Sequence, residues 1–129
     1  MLSKNKLKQI IGLQRKRNRD EEGLFVAEGN KIVVDFLKSE TKVEFIAALP
    51  EWFEENNNLI SKDIECVETN KDEISRISTQ TTPQNVVAIC RQYKRTIDHP
   101  QITNALSIVL DNIQDPGNMG TIIRIADWF

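Results

Sequence analysis

Three observations predict an α/β fold for most of this chain. Helical and strand-like apolar periodicities alternate from residue 1 to about 93. A polar, aperiodic stretch, Tyr93 to Asn104, then interrupts the alternation and contains His99-Pro100. Beyond it an apolar run, a Pro-Gly loop and a helical pattern begin again. The expected organisation is one α/β domain over residues 1–93, a linker over 94–104, and the start of a second α/β unit over 105–129.

The elements of the first domain follow in order. Leu7, Ile10 and Ile11 recur at helical spacing behind Ser3, an N-cap residue, and Gly12 weakens or ends that helix. Arg15 to Gly23 is too charged to be buried and reads as a basic helix end plus a loop. Leu24-Phe-Val-Ala27 is a compact apolar run that Glu28-Gly29-Asn30 breaks. Asn30 can cap a helix whose apolar face is Ile32, Val33, Phe36 and Leu37. Val43 to Leu49 is a strand candidate, and Pro50 suits the first turn of a short helix carrying Trp52 and Phe53.

Asn56 to Asn58 mark a turn. Ile64 to Glu68 alternate with period two, as a half-buried strand does. Asn70 and Glu73 have the spacing of a capping box for a short helix. Ser78 to Pro83 is a polar loop, and Val86 to Cys90 an uninterrupted apolar run suited to a central strand.

In the second unit, Ala105 to Ile113 reads as a buried strand, Gln114 to Asn118 as a loop, and Met119 to Phe129 as a helix with Ile122, Ile123 and Ala126 on one side. A strand, loop and helix form half of a βαβ unit. The sequence ends on Trp128-Phe129 with no helix stop signal, so a fragment of a longer protein is expected.

Composition bounds the function. The 129 residues are 40% hydrophobic and 28% charged, which is ordinary for a globular protein. No apolar window approaches the length of a membrane span, and the N-terminus lacks the apolar core of a secretory signal. Cys66 and Cys90, with His99 the one histidine, make no metal-ligand pattern. A disulfide between them is one reading. Two buried reduced thiols in a cytoplasmic protein is the reading preferred here.

The net charge of −2 hides an asymmetry. Lys4, Lys6, Lys8, Arg15, Lys16, Arg17 and Arg19 precede the first acid, Asp20, while residues 20–129 carry ten basic and nineteen acidic side chains. A +7 arm on a −9 body is either an electrostatic footprint for a polyanion or a solvated helix face paired with Asp20, Glu21 and Glu22.

Leu110 to Phe129 carries the chemistry. Pro116-Gly117 makes a tight turn at the carboxyl end of a parallel-type strand, the edge where open α/β sheets bind ligands. Asn118 can cap the helix or face a ligand. Gly120 leaves room for close backbone approach, and Arg124 lies under two turns further on. On spacing alone the preferred reading is Asn118 as a helix cap and Arg124 as a surface charge paired with Asp127 or Asp111.

The string itself adds more. It resembles the first signature motif of the SpoU/TrmH-type RNA methyltransferases of the SPOUT superfamily, where a strand ends in Asp-Pro-x-Asn-x-Gly and an Arg follows in the next helix. Asp115, Pro116, Asn118, Gly120, Thr121, Arg124 and Ala126 match it. Arg19 to Gly29 and Thr79 to Ala88 are similar to the opening and close of that family's N-terminal substrate-binding domain, with Asn85 where the family has Gly. That domain resembles ribosomal proteins that bind kinked RNA, which implies an α/β/α sandwich ahead of a knotted SPOUT domain.

The resemblance implies methyl transfer from S-adenosylmethionine to a ribose 2′-hydroxyl of structured rRNA or tRNA, without a metal. Family practice assigns Arg124 to deprotonating that hydroxyl. An ordinary guanidinium is no base, so holding the adjoining phosphate is the role preferred here, with Asn118 orienting Arg124 or the ribose. In the family the donor sits in a C-terminal trefoil knot built from two later motifs, so these 129 residues are expected to bind no donor and to be inactive alone. The retained role is RNA binding, with Lys16, Arg17, Arg19 and Lys31 as phosphate contacts. The complete enzyme is expected to be a homodimer, away from membranes. A non-enzymatic kinked-RNA-binding module is the alternative; it leaves Asp115 to Arg124 unexplained. A phosphate-binding domain built on Gly117 and Gly120 is weaker, since no Walker or dinucleotide motif occurs.

Overall fold

The computed structural model describes residues 1–93 and 106–128. The chain divides into two compact units, Met1–Lys94 and Arg95–Phe129.

The first unit opens with α1 (Lys4–Gly12), capped by the Ser3 hydroxyl, which accepts from the Lys6 amide at 3.2 Å. The charged stretch after it is not a helix end plus loop. It forms a separate helix, α2 (Lys16–Glu22), closed by Gly23 at φ +66°. Side-chain capping explains the break. Asn18 Nδ2 and Arg19 Nη1 donate to the carbonyls of Gly12, Leu13 and Gln14, which end α1.

Four strands follow: β1 (Leu24–Glu28), β2 (Val43–Ala48), β3 (Glu65–Glu68) and β4 (Val86–Arg91). Their order is β1-β4-β2-β3. β4 is interior, as its apolar run requires, and pairs antiparallel with both neighbours. β2 and β3 are the parallel pair, joined through α4 (Pro50–Asn56) and a 3₁₀ turn at Asn57–Leu59. Between β1 and β2 lies α3 (Asn30–Leu37), and between β3 and β4 lies α5 (Lys71–Ile77).

Alternation along the strands sends side chains to two cores, so the unit is an α/β/α sandwich. Leu24, Phe45, Ala47, Val87 and Ile89 pack with Ile10 and Leu13, and with Ile74 and Ile77 of α5. Ala27, Ile46, Ala48, Val86 and Ala88 pack with Val33 of α3 and Trp52 of α4 on the other face. The Asn70–Glu73 capping box forms with both reciprocal bonds, and Glu73 also accepts from the Leu2 amide at 2.9 Å.

Several local expectations change. Ile32 is 48% exposed, and Val34 joins Val33, Phe36 and Leu37 on the packed side of α3. Asn30 does not cap that helix. Gly29 holds the cap position, while Asn30 Oδ1 accepts from Trp52 Nε1 at 2.8 Å. Cys66 is exposed, because β3 is an edge strand with little covering it, whereas Cys90 is buried in β4; both are free thiols.

The second unit differs from its expectation too. Residues 106–113 form no strand, and Leu106 and Val109 are 92% and 90% exposed. Among the described residues no neighbouring strand supplies the ladder hydrogen bonds a buried strand needs. The helix α6 (Pro116–Trp128) begins at the proline, three residues earlier than the pattern suggests. Asp115 Oδ1 accepts from the Asn118 amide at 2.6 Å, so the pair Asp115-Pro116 acts as a cap followed by a helix-starting proline. The linker expected over 94–104, with His99, lies outside the described residues.

Candidate functional site

Two groups of residues carry candidate chemistry, one in each unit. In the first unit the centre is Glu28-Gly29-Asn30, where β1 turns into α3. Gly29 adopts φ +105°, and its N–H donates to Val86 O at 3.1 Å. The Glu28 carboxylate gathers the loop that follows α5. Ser78 Oγ donates to it at 2.6 Å, Thr79 Oγ1 at 2.7 Å, and the Thr79 amide at 3.0 Å. From the far end of the same loop, Gln84 Oε1 accepts from the Asn30 amide at 3.2 Å. A Cβ on Gly29 would lie 2.8 Å from that oxygen, so the glycine is required by space as well as by φ. A polar loop is thereby pinned at both ends against the start of α3, next to exposed Lys31.

The basic residues split into two kinds. The ion pairs among the described residues are Lys6–Glu65, Arg17–Glu21 and Arg91–Glu44. Lys6 also lies 4.4 Å over the Phe45 ring, which removes it from the free charge of the N-terminal arm. Arg17 is paired within α2, and Arg19 is half-buried and held by the carbonyls of Leu13 and Gln14 at 3.1 and 2.7 Å. Lys16 and Lys31 are exposed and outside those ion pairs. A groove of about 390 Å³ brings Arg19 together with Leu13, Gln14, Val26, Glu28 and Thr79.

Sequence reasoning missed Glu28 and Gln84 because their partners lie 50 and more residues away in the chain. The one local signal was an acid immediately before a glycine that ends a strand.

In the second unit Asn118 occupies the first turn of α6 and Arg124 a later one. Six residues along a helix correspond to a rise of about 9 Å and a rotation of about 120° between side chains. Asn118 therefore lies near the anion-favouring helix end, while Arg124 projects from the flank. Thr121 Oγ1 donates to Gly117 O at 2.9 Å, and a Cβ on Gly120 would meet nothing within 4 Å. A cavity of about 560 Å³ in this unit is lined by Leu106, Ile108, Ile125 and Ala126. Those four side chains offer no partner to the charged amino-acid end or ribose of a sulfonium donor, so they do not fit S-adenosylmethionine. Among the described residues no cluster of His, Cys, Asp or Glu could hold a metal ion, and no helix is long and apolar enough to cross a membrane.

Comparison with known proteins places this geometry. Residues 4–88 match the family model of the MRM3-like substrate binding domain. The 23S rRNA (guanosine(2553)-2′-O)-methyltransferase RlmP of Bacillus subtilis is 30% identical over 95% of this chain, which spans 47% of that protein. Mouse mitochondrial rRNA methyltransferase 3 is 31% identical over 84% of the chain and 27% of its own length. Among solved structures, the AdoMet-bound rRNA methyltransferase of Sinorhizobium meliloti is 34% identical with a TM-score of 0.76, over 98% of this chain and 49% of its own.

Proposed function

The chain belongs to the MRM3-like substrate-binding domain family, and from that membership we propose that it is the substrate-binding half of an RNA 2′-O-ribose methyltransferase of the SpoU/TrmH type. The observation that carries the proposal is the family match over residues 4–88, and the Asp115-Pro116-x-Asn118-x-Gly120 string with Arg124, further along the chain, supports it.

In this reading residues 1–93 hold the RNA, 94–104 connect, and 105–129 open the catalytic domain. Lys16 and Lys31 supply phosphate contacts, because neither belongs to the ion pairs of the described residues. Arg17 contributes after releasing Glu21, a solvent-exposed partner worth little. Arg19 acts from a fixed position. Structured rRNA is the substrate class, read mainly through shape, as folded RNA generally is.

S-Adenosylmethionine is the proposed methyl donor, and when bound it supplies the electrophilic methyl group. The residues present here do not hold it, so the site for it is assigned to other parts of the enzyme. Arg124 holds the phosphate beside the target ribose, and Asn118, at the helix start, orients the ribose or that guanidinium. A homodimer is proposed for the whole enzyme, and the cytoplasm as its compartment, where exposed Cys66 stays a thiol.

The test is methyl transfer by the full-length protein. With tritiated S-adenosylmethionine and unmodified rRNA, alkali-resistant label should enter a dinucleotide, and Arg124→Ala should reduce it at least a hundredfold. Label recovered on a base instead of a ribose refutes the proposal.

A further inference from the structure

The groove lined by Arg19 mixes apolar and polar residues, unlike the exposed Lys16 and Lys31. Leu13 and Val26, which pack in one core of the sheet, line it together with Gln14, Arg19, Glu28 and Thr79. Arg19 is held in place, since Nη1 is tied to the Leu13 and Gln14 carbonyls. A guanidinium is planar, and such planes are one of the two surfaces on which unstacked RNA bases lie. The carboxylate of Glu28 is already occupied by Ser78 and Thr79, so it gives a neighbouring base no free acceptor edge. At about 390 Å³ the groove is at the small end of ligand pockets, a size that suits one nucleotide. Lys16, three residues before Arg19 on α2, adds the positive charge that a flanking phosphate needs.

We propose that this groove receives one unstacked nucleotide of the RNA substrate, its base stacked on the Arg19 guanidinium and its recognition set by stacking. The proposal rests on the RNA-binding reading above and deepens it. It changes the role of Arg19 from phosphate contact to base platform, and it predicts a preference for purines, which stack more strongly.

The experiment uses the full-length protein and two RNA hairpins, one with a single bulged 2-aminopurine and one with an abasic site at the same position. Wild type should bind the first roughly tenfold more tightly, the usual scale of one stacked base, and should change its fluorescence. Arg19→Lys keeps the charge and removes the plane. It should abolish that preference while leaving the salt dependence of binding unchanged. Equal affinity of wild type for the two hairpins, or an intact preference in Arg19→Lys, overturns the proposal while leaving RNA binding in place. Failure to bind either hairpin overturns both readings.

Because Arg19 also ends α1, a second measurement avoids substitution. Adenosine monophosphate titrated into the wild-type protein should shift the NMR signals of Arg19 Nε–H and the Gln14 side-chain amide. Shifts confined to other residues, or none at millimolar nucleotide, refute it.

Discussion

Replacing Glu28 by alanine removes the group that gathers the Ser78–Gln84 loop. The carboxylate accepts from Ser78 Oγ, Thr79 Oγ1 and the Thr79 amide, all within 3.0 Å. It is half-exposed, so each bond is worth about 1 kcal/mol net, below the usual range for a charged acceptor. The loss should be about 2–3 kcal/mol, which for a domain near this size lowers the melting temperature by roughly 10–20 °C. Glu28→Gln keeps one acceptor oxygen, and the two hydroxyls can reverse their donation, so it should cost about half as much. Thermal unfolding followed by circular dichroism gives the stability. Hydrogen exchange at the Thr79 amide reports the loop itself, and protection there should fall further than at Ile89 in β4. Stability of Glu28→Ala within 0.5 kcal/mol of wild type, or unchanged Thr79 protection, would falsify the clamp.

The remaining predictions concern separate features. Gly29→Ala forces a Cβ onto φ +105° and to 2.8 Å from Gln84 Oε1, and should destabilise by about 1–3 kcal/mol in denaturant unfolding; a neutral result contradicts the packing described. Burial pushes the Cys90 thiol up to about 12, whereas the unfolded chain ionises nearer 9.0. The folded state therefore keeps a proton that the unfolded state loses, and stability should fall as pH rises through that window, less steeply in Cys90→Ala. Ellman's reagent at pH 8 should modify one thiol per native chain, Cys66, and two after unfolding. Alanine at both Lys16 and Lys31 in the full-length protein should flatten the log–log salt dependence of RNA binding by roughly 1.4 or more, from two lost phosphate contacts. Calorimetric titration of residues 1–129 with S-adenosylmethionine should show no micromolar binding, since the described residues that line the cavity, Leu106, Ile108, Ile125 and Ala126, offer the donor no polar side chain.

What the sequence made legible was whatever depends on neighbours a few residues away. Ser3, the Asn70–Glu73 box and Pro50 all do what their local chemistry requires, because each partner lies within one helical turn. The five uninterrupted apolar residues from Val86 correctly indicated an interior strand, since both its faces are covered by helices. Strand order, and the mixed directions of pairing, depend on contacts far apart in the chain and left no local trace.

Cys66 shows the limit of periodicity. Alternation along Glu65–Glu68 gives two faces but says nothing of a strand's place at the edge, where neither face is fully covered. Asp115-Pro116 is a different case. The helix-start signal was present, but reading Pro116-Gly117 as a turn displaced the start to Met119. For the site, the charge of Arg19 was visible while its restraint by two carbonyls was not, and that restraint decides its proposed role.

The proposed activity is methyl transfer to a ribose of structured RNA. Mapping 2′-O-methylation across the rRNA and tRNA of the host, with and without the gene, tests it most directly. Deletion should remove one ribose methylation from rRNA, restored by the wild-type gene and not by Arg124→Ala. An unchanged ribose-methylation map, or loss of a base methylation alone, would contradict it.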